Sequence, residues 1–227
     1  MSELRLDSAQ IGADDLDAAV AAYTILLGAE PVVREGGVRR FQLARGAVEI
    51  EPGEPGVHAV SFAVTGAKLL RASETVNGLE VRFTPAAEIR ALAARGVFVE
   101  AIDHIVVRSP DLDRAIAFWR DQMGLRLALD RAFSERGLRL VFFRSGGITL
   151  EYAGGHPPPA ERDGPDQFHG LSYRLRDLSA HRDRLVRGGF DVSPIRPGMR
   201  PGTSVATVRS GTAGVPTLLL QLDGPAE

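Results

Sequence analysis

Residues 101–130 read AIDHIVVRSPDLDRAIAFWRDQMGLRLALD. IDHIVV is a short β-branched run, the composition of a half-buried strand. Pro110-Asp111 then opens an amphipathic stretch in which Leu112, Ala115, Ile116 and Trp119 recur at helical spacing. Met123-Gly124 closes it, with Gly124 suited to the left-handed position after a helix. Three extended segments follow, LRLALD, LRLVFFRS and GITLEYA, parted by polar or glycine-bearing turns. The order strand, helix, strand, strand, strand is a βαβββ module.

The same pattern recurs along the chain. DDLDAAVAAYTILLGAEPV, from Asp14, aligns with PDLDRAIAFWRDQMGLRLA, from Pro110, matching Asp-Leu-Asp, Ala19 with Ala115, Tyr23 with Trp119 and Gly28 with Gly124. HAVSFAV, from His58, aligns with HGLSYRL, from His169, and the same offset carries Asn77-Gly78-Leu79-Glu80-Val81 onto Gly188-Gly189-Phe190-Asp191-Val192. Each half divides again, because Asp111-Leu112 lies seven residues after His104 and Asp177-Leu178 lies seven after Gly170. A repeat constrains architecture more than propensity does, and this one predicts four modules in two domains, 1–100 and 101–227. Leu16, Val20, Tyr23, Leu112, Ile116 and Trp119 are expected to be buried on helix faces. Residues 154–167, GGHPPPAERDGPDQ, read as a loop much longer than its counterpart around Pro52 to Gly56, and RPGMRPGT at 196–203 reads as a second loop. Almost no linker separates the halves, so they are expected to pack tightly.

Composition narrows the chemistry. Hydrophobic residues at 44% and charged residues at 25% suit a globular chain with a real core. Lys plus Arg (27) nearly cancels Asp plus Glu (29), which leaves no basic field for a phosphate backbone. With no cysteine, disulfides, thiol nucleophiles and thiolate metal sites are excluded. Any metal must sit on His, Asp, Glu or an amide oxygen. No basic leader or membrane-length apolar run is present, so a cytoplasmic protein with no membrane partner is expected.

AIDHIVVRSPDLDRAIAFWRDQMGL resembles the opening of a vicinal oxygen chelate domain, and GGITLEYAG resembles its fourth strand. That superfamily includes glyoxalases, bleomycin-resistance proteins and extradiol dioxygenases. The resemblance implies an α+β fold of paired βαβββ modules, with curled mixed sheets around an open cleft and metal ligands on the first and fourth strands of each module. It covers the second half well and the first half more weakly. Position by position it implies His104 and Glu151 as ligands, with Gly170 where a second histidine is expected and Gln221 where a glutamate is usual. A metal set of His104, Glu151 and Gln221 suits Zn, Ni, Mn, Co or Fe, with positions left for a substrate carrying two adjacent oxygens. His169, one place before Gly170, has the wrong strand parity for the metal, and its partner His58 in the first half argues for a structural role. In the first half, Ser8 stands for His104, Ala59 for Gly170 and Glu51 for Glu151, which reads as a degenerate copy.

Strand parity adds two guanidinium groups, because Arg108 lies four residues past His104 and Arg174 four past Gly170. With Ser172 beside them they are candidate substrate contacts, able to clamp a carboxylate or phosphate. His156 and His181 read as surface residues. Three functions stay open: a metal-dependent isomerase or lyase in which Glu151 moves a proton, a ring-cleaving dioxygenase, which Gly170 and Gln221 disfavour, and a metal-free binding protein of the bleomycin-resistance type. Each implies a small-molecule partner and a monomer or homodimer.

Overall fold

The computed structural model describes residues 4–65, 73–86 and 98–223. The first module is β1 (Leu4–Ala13), α1 (Leu16–Leu27), β2 (Val32–Val33), β3 (Arg39–Gln42) and β4 (Ala47–Pro52). The second contributes β5 (Gly56–Val64), β6 (Ser73–Val76) and β7 (Leu79–Pro85). The third is β8 (Val99–Arg108), α2 (Leu112–Ile116), β9 (Arg126–Phe133), β10 (Leu138–Ser145) and β11 (Ile148–Gly155), with α2 running on in π-helical turns over Ala117–Gln122. The fourth is β12 (Gln167–Leu175), α3 (Leu178–Arg187), β13 (Arg196–Pro197), β14 (Thr203–Val208) and β15 (Thr217–Leu222). The fold is α+β, with β1 to β7 in one mixed sheet and β8 to β15 in another.

One signature unites the modules: the first strand pairs in parallel with the last, β1 with β4, β5 with β7, β8 with β11 and β12 with β15. The repeated Asp-Leu dipeptide has a single physical cause. Asp15, Asp111 and Asp177 are each extended at a helix N-cap, and each carboxylate accepts a backbone N–H of the first turn. At the far end of the third module's helix Gly124 has φ +76, a conformation that costs glycine nothing.

The alignment of residues 77–81 with 188–192 does not survive in three dimensions. Asn77-Gly78 forms the two-residue turn between β6 and β7, both residues at positive φ, whereas Gly188 and Gly189 end α3. Asn-Gly takes φ > 0 at both central positions more readily than other dipeptides, and so it makes a hairpin.

The chain forms two compact units. One gathers the second module with the third, the other the first with the fourth, and the division within β8 falls between Asp103 and His104. In the first of these units Trp119 is fully buried, donates from Nε1 to Tyr152 Oη at 2.7 Å, and lies 5.3 Å from the Phe62 ring. In the other, buried Tyr23 donates to the Thr212 carbonyl at 3.1 Å and packs beside Phe41. Each unit therefore joins residues from both halves of the chain. Leu112, Ile116, Trp119 and Tyr23 are buried as expected, but Leu16 and Val20 are only half-buried. The stripe that α1 buries is Ala19, Tyr23, Leu26 and Leu27 instead, because it is these residues that face the core.

Candidate functional site

Strand alternation gives the third module two faces. Ile105 and Val107 of β8, Leu150 and Tyr152 of β11, and Val141 and Phe143 of β10 are all buried. On the opposite face His104, Val106, Glu151, Ala153 and Phe142 are half-buried and Arg108 is exposed. The register pairs His104 with Thr149 and Val106 with Glu151, which sets His104 and Glu151 diagonally across two parallel strands. His104 Nε2 lies 4.0 Å from Glu151 Oε2, with the side chains 17% and 20% exposed. That distance is longer than a hydrogen bond, so an ion or a ligand oxygen can bridge the two groups.

The same register identifies the corresponding slots elsewhere, counting from the helix caps of the first and fourth modules and, in the second, from the alignment of His58 with His169. In the fourth module Gly170 corresponds to His104, and Ser172 pairs with Leu218 as Val106 pairs with Glu151. Leu218, not Gln221, therefore occupies the carboxylate slot. Gln221 pairs with Leu175 on the other face, and its Oε1 accepts the Leu178 N–H at 2.6 Å, closing the start of α3. A three-residue slip along a strand changes the face, which the resemblance alone did not reveal. A Cβ on Gly170 would meet the Pro216 carbonyl oxygen at 2.4 Å, so the backbone fills the space a second histidine needs. Ser172 is fully buried, and Arg174 is held by Asp103, with Nε donating to Oδ1 at 2.9 Å.

In the first module Ser8 pairs with Ala47 and Gln10 with Glu49, so Glu49 rather than Glu51 corresponds to Glu151. Glu49 accepts from Gln10 Nε2 at 2.7 Å and from Arg40 Nη1 at 2.8 Å. Burial alone would raise its carboxyl pKa, but the hydrogen bonds from Gln10, Arg40 and Ser8 and the charge of Arg40 bring it below the usual range. A guanidinium thus supplies the cation at this slot. In the second module the two slots hold Ala59 and, by the pairing of Ser61, Arg82, which is bonded to Glu80 at 2.8 Å. Only the third module carries ligand chemistry in both slots. Among the described residues there is no group of three or more His, Cys, Asp or Glu able to hold a metal ion.

Arg108 completes the open face. Its Nη2 donates to His169 Nε2 at 3.2 Å, and the imidazole pKa is lowered by burial and by the Arg108 charge. In this contact His169 Nε2 is the acceptor, because a guanidinium only donates. His181, read as a surface residue, is instead 1% exposed, its ring tilted against Phe98 at 5.8 Å, because α3 turns it inward.

A family model described as the Glyoxalase/Bleomycin resistance protein/Dioxygenase superfamily matches residues 103–207. The similarity to that superfamily runs from β8 into β14. A solved structure, a mutant 4-hydroxymandelate synthase from Streptomyces coelicolor, has a TM-score of 0.72 at 13% identity, covering 98% of this chain and 94% of that one. A Mn(II)-bound glyoxalase from Novosphingobium aromaticivorans has a TM-score of 0.72 at 17% identity, covering 97% and 83%. These likenesses carry the fold. The ethylmalonyl-CoA/methylmalonyl-CoA epimerase of Cereibacter sphaeroides is 26% identical over 99 residues, 40% of this chain and 72% of that protein.

Proposed function

We propose that this protein binds a small oxygenated molecule on the open face of its third module, as a metal-free protein of the bleomycin-resistance type. The observation that carries this reading is the donor set. A catalytic ion needs about three protein ligands, and with Gln221 turned to the far face and Gly170 walled by Pro216, His104 and Glu151 remain. These two residues are then polar anchors, the imidazole and the carboxylate meeting hydroxyl or carbonyl groups of the ligand, with Phe142 as an apolar floor. In this proposal residues 101–227 form the site-bearing domain and residues 1–100 a degenerate copy.

A second reading is favoured by the 4.0 Å approach of His104 to Glu151. Here the chain is an enzyme acting on a small oxygenated molecule, and His104 and Glu151 would hold a divalent ion such as Zn, Ni, Mn, Co or Fe. When bound, such an ion supplies Lewis-acid stabilisation to a carbonyl or enediolate oxygen. Glu151 takes and returns a proton at the neighbouring carbon, the type of step that the name of the epimerase relative suggests.

Metal analysis of protein purified without a histidine tag, with calorimetric titration by Mn(II) and Zn(II) at neutral pH, separates the two. The first reading expects well under about 0.1 ion per chain and no saturable uptake, unchanged in His104→Ala. Uptake of about one ion per chain, abolished by His104→Ala, hands the site to the enzyme reading.

A further inference from the structure

The loop that lengthens the third module borders an open, shallow pocket of about 520 Å³ at the end of β8 and β11. Its walls include Ser109, Leu138, Gly154, Pro165 and Gln167, and Arg108 stands at its edge. A volume of that size falls within the range of small-molecule sites. The loop is anchored. Arg114 donates from Nη1 to the Arg162 carbonyl at 3.3 Å and from Nη2 to the Gly164 carbonyl at 2.8 Å and to Asp166 Oδ1 at 3.1 Å. The Asp166 side chain is wholly buried, its N–H donates to the Asn77 carbonyl at 2.7 Å, and the His156 N–H donates to the Gly137 carbonyl at 2.9 Å.

Arg108 is the cation of this pocket. Among the described residues it has no acidic partner, whereas Arg40, Arg114, Arg139 and Arg174 each have one. No carboxylate lines the pocket, and its walls are backbone, an amide, a hydroxyl and apolar rings. Arg108 shares a strand face with His104 four residues away, which at roughly 3.3 Å per residue separates the two by about 13 Å.

We propose that this pocket binds the far end of the ligand, an oxyanion such as a carboxylate or phosphate, when its oxygenated end lies at His104 and Glu151. The inference rests on the reading of the open face as the ligand site, and it narrows the ligand to a molecule with polar groups roughly 10–13 Å apart, one of them anionic. Arg108 supplies the bidentate charge-assisted contact, and Gly137, Gly154, Gly155 and Gly164 contribute no side chain to the pocket wall.

The test is calorimetric titration with linear α,ω-dicarboxylates of increasing length, the matching monocarboxylates, and ω-phosphorylated monocarboxylates. Diacids whose ends lie roughly 10–13 Å apart are expected to bind at least about tenfold more tightly than the monoacids. Arg108→Gln brings that ratio close to one, as does Gly164→Leu, which fills the pocket beside Pro110. The phosphorylated series tells which oxyanion is preferred. His104→Gln weakens monoacids and diacids in parallel and keeps their ratio. If no diacid outbinds its monoacid, or if Arg108→Gln leaves the ratio unchanged, the subsite does not exist. If the ratio behaves as expected while His104→Gln changes nothing, the subsite stands and the His104 reading fails alone.

Discussion

Glu49 and Glu151 occupy equivalent slots and are satisfied by different means. Arg40, 8% exposed and bonded to Glu49 and to Gln42 Oε1, is a covalently attached cation facing a half-buried carboxylate. Removing one partner of such a pair leaves the other charge poorly solvated, so Arg40→Met is expected to cost about 3 kcal/mol in urea unfolding. Adding Glu49→Gln should restore most of that loss, and a double variant no more stable than Arg40→Met would show that the pair is not the source. His181 offers a pH test. Burial, and then the Arg184 charge, push its pKa down to about 4. A lowered folded-state value means the unfolded chain takes the proton first as pH falls, so stability present above about pH 6.5 is lost between there and about pH 4. His181→Leu removes that titration. The variant should gain about 2 kcal/mol relative to the parent between pH 7.5 and pH 5.0, and a difference that stays constant over this range would place the acid sensitivity elsewhere.

Among the elements, β12 shows why the fourth module lacks a metal ligand. Gly170 starts the run equivalent to HIVV, but the Pro216 carbonyl occupies the volume of a side chain there. Because the obstructing atom is backbone, Gly170→Ala is expected to destabilise by about 1–3 kcal/mol, with Gly170→His costing more and creating no metal affinity. Chemical denaturation and Mn(II) titration check both halves of this statement; a stable Gly170→His protein that gains metal binding would mean the loop yields easily. Elements announced by their own residues were legible: the Asp caps, the Gly124 stop and the alternation of β8 can be read from single stretches. Gln221 was misplaced because assigning its slot needs the pairing of β12 with β15, and a pairing register is a property of two segments.

At the scale of the chain, the two sheets come from the two halves, yet each compact unit combines parts of both. Tyr23 reaches Thr212, and Phe62 packs on Trp119. Splitting the chain between residues 97 and 98 exposes these large side chains, and fully exposing Trp or Phe forfeits about 3 kcal/mol each. Fragments 1–97 and 98–227 are expected to unfold without cooperativity when prepared singly and to regain a cooperative transition when mixed. Calorimetry of each fragment alone decides this. A sharp independent transition in either would assign the contacts between the halves a lesser role. No helix among the described residues is long and apolar enough to cross a membrane.

Module order and helix starts were written in local patterns and their repetition, because caps, turns and strand alternation act over a few residues, whereas the pairing of His104 with Glu151 was implied by the family resemblance. The same reading could place Arg108 on the His104 face. It could not foresee the pocket beside Arg108, the Pro216 carbonyl in the space of a second histidine, or the substitution of Arg40 for an external cation at Glu49. Each of these depends on atoms brought together from distant segments, where distance and burial, not residue type, decide what a side chain can bind.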